Sequence, residues 1–394
     1  MITHHRRMKA DARPHAMARE LVGRGHRVTL IVTADRRRAR VIGSEWDGVR
    51  VIETPDLLWG RLRSGWDPWS LLNRAVFLRR DEWVYDIAHC FETRPATIYP
   101  ALVYSSANNL PIVTDWNDWW GRGGIIDELR PKWYRFLFGG VETYYEEAFR
   151  TRGAGLTVIS TALVQRAIDL GFPRERILHL PGGTFPELFQ ARSKVTCRTR
   201  VGLPQSIPIL GFSSLDSHLD LGMVMQTTAL VAKGCPALKL MITGNAGRAV
   251  MDLAREHGVE GNLHLTGLLP REQLPWHLGC ADLFVLPFPD TVYNRGRWPN
   301  KIGEYMSLGR PTVANPVGDI KDLFENEDIG LLAEWEPKDF SEKIIYLLEN
   351  PRTAERLGEN AREVAVRRFD WKVLTRDLEE FYYKVLDTKD QPMC

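Results

Sequence analysis

"ADLFVLPF" (281–288) followed by "GRWPNKIGEYMSLGRPTVANPVGD" (296–319) reads as strand, turn, helix and strand in succession. The apolar run is strand-sized, Pro299 suits a first helical position, and Gly309 with Pro311 just beyond closes a helix expected over 299–308. Ile302 and Met306 fall on the face that packs against a sheet, while Lys301 and Glu304 share another. A lysine in the first turn opposes the helix dipole, and with Glu304 it makes an ion pair in the less favourable order. An anion at the helix start would reverse that balance, because backbone N–H groups, the dipole and the ammonium would converge on it. A diphosphate meets that description.

Working outward, the same alternation of apolar runs and amphipathic stretches fills the chain, which is the pattern of βα units around parallel sheets. The first half reads as helix 11–24, strands "RVTLIVT", "VRVIET" and "YDIAHC", helix 94–106, strand "LPIVTD", a long helix at 132–150, strand "GLTVIS" and helix 161–170. "MIT" at the start is short for a central strand, so either strand one is abbreviated or the chain begins further upstream. After a polar stretch at 185–206, with "ARSKVTCRTRVGLPQS" as the linker, comes a second series: "IPILGFSS", "ALKLMITG", "NLHLTG", "DLFVLPF", "PTVAN" and "IGLLAE", with helices between them and three more to the end. The expected fold class is therefore α/β, with two doubly wound parallel-sheet domains. Strands of the second series end in Gly, Ser, Asn or Pro, leaving small open loops where such sheets bind ligands. GxGxxG is absent, which argues against a dinucleotide site.

Composition sets the outer bounds. The 394 residues are 44% hydrophobic and 26% charged, ordinary for a globular chain of two domains. No apolar run reaches membrane-spanning length, and no apolar leader opens the chain, so a cytoplasmic location is expected. Cysteines at 90, 197, 235, 280 and 394 are scattered without a CxxC pair, so neither a disulfide framework nor a zinc site is indicated. The net charge of +2 hides an asymmetry: residues 1–80 hold 17 Lys and Arg against 8 Asp and Glu. Within them, 57–80 combines five Arg with three Trp, suited to the inner face of a membrane. A solvated, partly packed helical insertion is the alternative. The near-neutral balance argues against nucleic acid.

The stretch 299–319, with its preceding strand, resembles the donor-binding segment of family 4 glycosyltransferases of the GT-B fold. "ELVGRGHRVTLIVT" (20–33), "GLTVISTALVQRAIDLGFPRERILHLPGG" (155–183), "LMITGNAG" (240–247) and "NLHLTGLLPREQLPWHLGC" (262–280) agree in order. The resemblance implies an acceptor-binding domain at 1–190, a nucleotide-sugar-binding domain at 191–370, a final helix at 371–394 crossing back, and an interdomain cleft. It places Glu304 at the last position of an E-x7-E pattern, on the ribose hydroxyls, where a carboxylate can accept two hydrogen bonds. The first glutamate of that pattern falls on Gly296, so Arg295 or Arg297 would supply other contacts to the donor. Asn300, Lys301 and Tyr305 belong to the same segment, and Gly244 ends a neighbouring strand. "GFSSLDSHLDLG" (211–222) lacks the cation this family usually carries for phosphate, leaving backbone N–H groups from Gly211 onward and the hydroxyls of Ser213 and Ser214 to cradle it.

The loop "VTDWNDWWGRGG" (113–124) follows a strand and holds three Trp. Burial explains some of them, but aromatic faces also stack on sugars, which makes Trp119 and Trp120 acceptor candidates. By the resemblance, Asn117 stands where the family often has a histidine, with Asp118 beside it. Asp118 would orient the acceptor hydroxyl or act as a base. Arg122, with Gly121, Gly123 and Gly124 permitting close approach, would meet an anionic acceptor. His89 and Arg94, with Glu92 between them, lie at another strand end as further acceptor candidates.

The implied activity is retaining transfer of a hexose from a UDP- or GDP-sugar to a hydroxyl of a lipid-linked, polysaccharide or other glycan acceptor, without metal or cofactor. Asp118, Asn117 and Glu304 are its catalytic candidates. The alternative is an impaired sugar-nucleotide-binding or partner-binding descendant, suggested by the departures at Gly296, Asn117 and 211–219.

Overall fold

Strand-length apolar runs become two separate sheets in a computed structural model that describes residues 1–6, 13–35, 40–56, 64–214, 218–245 and 247–389. The chain divides into one unit of Met1–Gly182, Arg295–Trp298 and Trp371–Cys394, and a second of Gly183–Asn294 and Pro299–Asp370.

In the first unit the strands are β1 (Ile2–Arg6), β2 (Thr29–Thr33), β3 (Ile42–Trp46), β4 (Val49–Thr54), β5 (Ala88–Phe91), β6 (Ile112–Trp116), β7 (Gly155–Val158) and β8 (Ile177–His179). Their order across the sheet is β3-β4-β2-β1-β5-β6-β7-β8. Every pairing is parallel except β3 with β4, a hairpin turned by Asp47 (φ 51°) and Gly48 (φ 76°). That edge hairpin was not foreseen; the Asp-Gly pair was its legible signal. β1 is central, between β2 and β5, and has five residues because it continues through polar His4, which is 3% exposed. "MIT" looked short because only its apolar residues were counted.

The last helix, Trp371–Lys389, packs on this sheet: a Cβ on Gly155 would lie 2.8 Å from the Phe381 ring. Of the basic stretch 57–80, residues 57–63 lie outside the described residues. The remainder contains the helix Pro68–Arg80, started by Asp67, whose carboxylate accepts from the Trp69 and Ser70 amides. Its Arg74 is fully buried on Thr33, Thr54 and the Ala96 carbonyl.

The second unit carries β9 (Ile209–Ser214), β10 (Lys239–Gly244), β11 (Leu263–Gly267), β12 (Leu283–Leu286), β13 (Thr312–Ala314) and β14 (Gly330–Leu332), in the all-parallel order β11-β10-β9-β12-β13-β14. Leu210, Phe212, Leu240, Ile242 and Val285 anchor its core beneath helices His218–Gly234 and Pro337–Glu349. The expected linker at 185–206 contains a helix instead, Lys194–Val201, capped by Ser193 and closed by Gly202 at φ 78°. Its apolar pattern is weak because one of its two buried residues is Arg198, bonded to Asp282 at 2.8 Å; the other is Cys197. The helix expected at 299–308 is shorter, Lys301–Ser307.

Candidate active site

In the first unit the polar residues gather where β5 and β6 end. Glu92, the first residue after β5, is 4% exposed and held at φ 70°, a left-handed conformation costly for a residue with a Cβ. It accepts from Arg150 Nη2 at 3.1 Å and from Trp120 Nε1 at 3.3 Å. After β6, the loop wraps around Glu146, a buried carboxylate of the helix Gly140–Arg150. Glu146 accepts from Trp116 Nε1 (2.9 Å), the Trp120 amide (2.8 Å) and the Gly121 amide (2.5 Å). Sequence reasoning missed this residue, since "YYEEAFR" looks like any helix surface.

That scaffold corrects several expectations. Trp119 donates Nε1 to the Arg122 carbonyl and stacks on Arg166 at 4.2 Å, and Trp120 has Arg94 over its ring at 5.0 Å. Both rings therefore build the loop, and each has a guanidinium on its π system. A Cβ on Gly121 would meet Glu146 Oε2 at 2.2 Å, and one on Gly124 the Trp119 carbonyl at 2.1 Å, so these glycines admit the chain's own atoms. Gly123, at φ 82°, serves the turn. Arg122 is exposed and its backbone completes the scaffold. His89 is 1% exposed, with its ring nitrogens bonded to the Tyr382 and Thr157 hydroxyls at 2.6 and 3.2 Å. Burial pushes it down to about 3, so it joins the last helix to the sheet as a neutral group.

Asp118 stands apart from this satisfied network. It makes no hydrogen bond among the described residues, and its carboxyl is pushed up to about 7, first by burial and then by Glu92 and Glu146, against Arg297 and Arg94. The neighbouring Asn117 has a buried Oδ1 with no partner among the described residues. Arg94 is pushed below its ordinary value by burial and donates to the Ser64 carbonyl at 2.8 Å. Arg297 belongs to this unit with exposed Arg295, so the chain brings together Asp118, Asn117, Arg94 and Arg297 as one polar cluster.

In the second unit Glu304 is half-buried, and burial pushes its carboxyl up to about 7 against the opposing pull of Arg271 and Lys301. Arg271, from the loop after β11, was missed because one cation in "LLPREQL" carries no pattern. The Lys301 ammonium lies 4.5 Å from the Phe212 ring centroid. The expected convergence of helix N–H groups is reduced: the helix has seven residues, and the Ile302 and Gly303 amides bond back to the Pro299 and Asn300 carbonyls. Asn300 is exposed and caps nothing.

Three further donor candidates are structural. Tyr305 is fully buried, stacked on Phe284 at 3.8 Å, and its hydroxyl accepts from the Ser213 amide at 2.8 Å. That amide is thus taken up, and the Ser213 hydroxyl bonds Thr243 at 3.0 Å. Gly211 lies within the sheet, where a Cβ would meet Phe284 at 2.4 Å. Residues 215–217 and the side chain of Ser214 lie outside the described residues. Gly244 ends β10 at φ 104°, a conformation that favours glycine. Among the described residues no group of three or more His, Cys, Asp or Glu is placed to hold a metal ion.

Two parallel sheets, each with its polar residues at strand ends, match known sequences along most of their length. The family of glycosyl transferases group 1 matches residues 209–350, and the glycosyl transferase 4-like domain matches 10–183. The chain is a family 4 glycosyltransferase. It is 23% identical over 393 residues to an alpha-D-kanosaminyltransferase of Streptomyces kanamyceticus, covering 94% of this chain and 98% of that one. An MMP alpha-(1->4)-mannosyltransferase of Mycolicibacterium hassiacum is 24% identical, covering 68% of this chain and 60% of that protein. Among solved structures, sucrose-phosphate synthase from Thermosynechococcus elongatus superposes with a TM-score of 0.73 at 16% identity, over 94% and 92% of the two chains. An Anabaena protein in complex with UDP-glucose gives 0.67 at 17%, over 94% of each. The fold of this glycosyltransferase is thereby GT-B.

Proposed function

We propose that this glycosyltransferase moves a hexose from a nucleotide sugar to a hydroxyl of a lipid-linked, polysaccharide or other glycan acceptor, with retention at the anomeric carbon. The observation that carries the donor half is Glu304, a half-buried carboxyl pushed up to about 7 with Arg271 and Lys301 beside it. Ribose hydroxyls would donate to the carboxylate, and the two cations suit a diphosphate. In the transfer, the bond from the anomeric carbon to the diphosphate oxygen breaks and a bond to the acceptor oxygen forms. The acceptor proton passes to the departing diphosphate, while Asp118 orients the acceptor hydroxyl and Lys301 with Arg271 supplies the charge otherwise asked of a metal. The names of the kanosaminyl- and mannosyltransferase relatives specify α products. Common nucleotide hexoses are themselves α-linked, which favours retention here. Nothing in either polar cluster favours the impaired descendant.

A thermal-shift panel of UDP-, GDP- and ADP-sugars tests the donor half, because a ligand of the folded state raises Tm by mass action. One nucleotide series should stabilise the chain, and Lys301→Ala should remove the effect. No shift with any nucleotide sugar would overturn the reading of Glu304. NMR of the product's anomeric proton then decides retention against inversion.

A further inference from the structure

We propose that the outward face of residues 129–144 in the first unit docks on an anionic membrane surface. The chain there is helical from Lys132–Tyr134 through a π-helical turn, Arg135–Gly139, into Gly140–Arg150. An ordinary surface helix turns apolar residues inward. This one is inverted along much of its length: Glu142, Thr143, Glu146 and Arg150 are buried, while Trp133, Phe136, Leu137, Val141 and Tyr144 face solvent at 62, 88, 58, 45 and 51% exposure. Those five recur at the spacing of one helical stripe. Phe138 and Leu129 extend the apolar surface at 46 and 45%.

Charge selects the occupant. Arg130, Lys132 and Arg135 lie at the head of the stripe, against exposed Asp127 and Glu128; Glu142 is turned inward, accepting from the Tyr134 hydroxyl at 2.5 Å. Arg135 reaches the Asp127 carbonyl at 3.0 Å, and Arg130 covers the Tyr134 ring at 5.5 Å. Aromatic side chains interleaved with Lys and Arg match the headgroup layer of an anionic bilayer, where rings lie at the acyl boundary and cations meet phosphates. A protein interface core is depleted in lysine, so a second copy fits this surface less well. These residues are separate in sequence from the 57–80 stretch on which the sequence placed membrane contact. Its inward side carries Glu146, the carboxylate that shapes the 116–121 loop, so docking would hold that loop near the bilayer. Vesicle binding needs no substrate, so its outcome is independent of the acceptor reading.

The test is co-sedimentation of the full chain with sucrose-loaded vesicles, of phosphatidylcholine alone or in equimolar mixture with phosphatidylglycerol. Binding to the anionic vesicles is expected, weakening with salt. Phe136→Ser with Leu137→Ser should lower the partition coefficient by about tenfold or more, and Lys132→Glu by a smaller factor. An unchanged Tm would show that these exposed substitutions leave the fold intact. Failure of the wild-type chain to bind anionic vesicles, or equal binding by the double variant, would overturn the proposal. So would sedimentation velocity showing a wild-type dimer that the double variant splits, because a second copy would then cover the stripe.

Discussion

Asp118 in the first unit and Glu304 in the second both have carboxyls pushed up to about 7, but their surroundings differ in kind. Around Asp118 the charges are dense and of both signs: Glu92 and Glu146 reinforce burial, while Arg297 and Arg94 oppose it. Around Glu304, burial acts against two cations, Arg271 and Lys301, and among the described residues no second carboxylate contributes. One site is an electrostatic cage in which Glu92 and Glu146 are held by hydrogen bonds while Asp118 has none among the described residues. The other is sparse and has unused capacity to accept donors. The difference teaches that equal proton affinity need not mean equal role: the cage suits fixed orientation of a reacting group, the sparse site suits capture of a ligand that brings its own hydroxyls and phosphates.

The largest expected effect falls on the cage. Asp118→Asn should lower kcat/KM by roughly 10²-fold, the cost of a misplaced acceptor hydroxyl, while leaving donor-induced thermal shifts intact. Full activity in that variant would break the contrast, because the cage would then be scaffold throughout. Next comes Glu146→Ala. It strips the Trp116 and Trp120 bonds and leaves Arg166 short of a partner, so a loss of about 3–5 kcal/mol is expected, read as a lowered denaturation midpoint. A loss below about 1 kcal/mol would mean that the loop does not depend on this carboxylate.

Glu304→Ala should weaken donor binding by about 1.5–3 kcal/mol, the worth of hydrogen bonds to a charged acceptor, seen in titration calorimetry as a raised Kd. The same site predicts a pH dependence. Hydroxyl donors favour the ionised carboxylate, so donor affinity should rise as pH increases through 7, with protons released on binding below it. A flat pH profile would assign the donor contact to another group.

Smaller still is the effect on stability. A carboxyl at about 7 in the folded state and 3.8 unfolded binds more protons when folded between those values, so its contribution falls as pH rises through that window. Asp118→Asn should therefore raise Tm modestly at pH 8 and flatten the slope between pH 4 and 7, by about 2–4 °C per kcal/mol recovered. Scanning calorimetry across that range checks both the sign and the size.

Much of the fold was legible because parallel strands buried on both faces must be continuous apolar runs, as in Thr29–Thr33 and Leu283–Leu286. What escaped had polar composition: His4 inside β1, Arg198 in the helix taken for a linker, and the edge strand Ile42–Trp46. The candidate site was named from its loops more than from its partners. Asp118, Asn117, Lys301 and Glu304 came from loops and a helix flanked by strong strands. Glu146 and Arg271 were invisible because each acts on residues distant in the chain.

The order of apolar runs and turn residues determined by itself that this chain makes two parallel sheets with polar loops at their strand ends, since that pattern buries no other way. Which polar groups in those loops remain available was decided only by tertiary packing. Trp119, Trp120, Tyr305 and the Ser213 amide looked available and were satisfied by neighbours, whereas Asp118 was left without a hydrogen bond among the described residues. The physical reason is that a hydrogen bond depends on where its partner lies in space, and only the folded chain brings Glu146, Glu92 and the aromatic loop to one place.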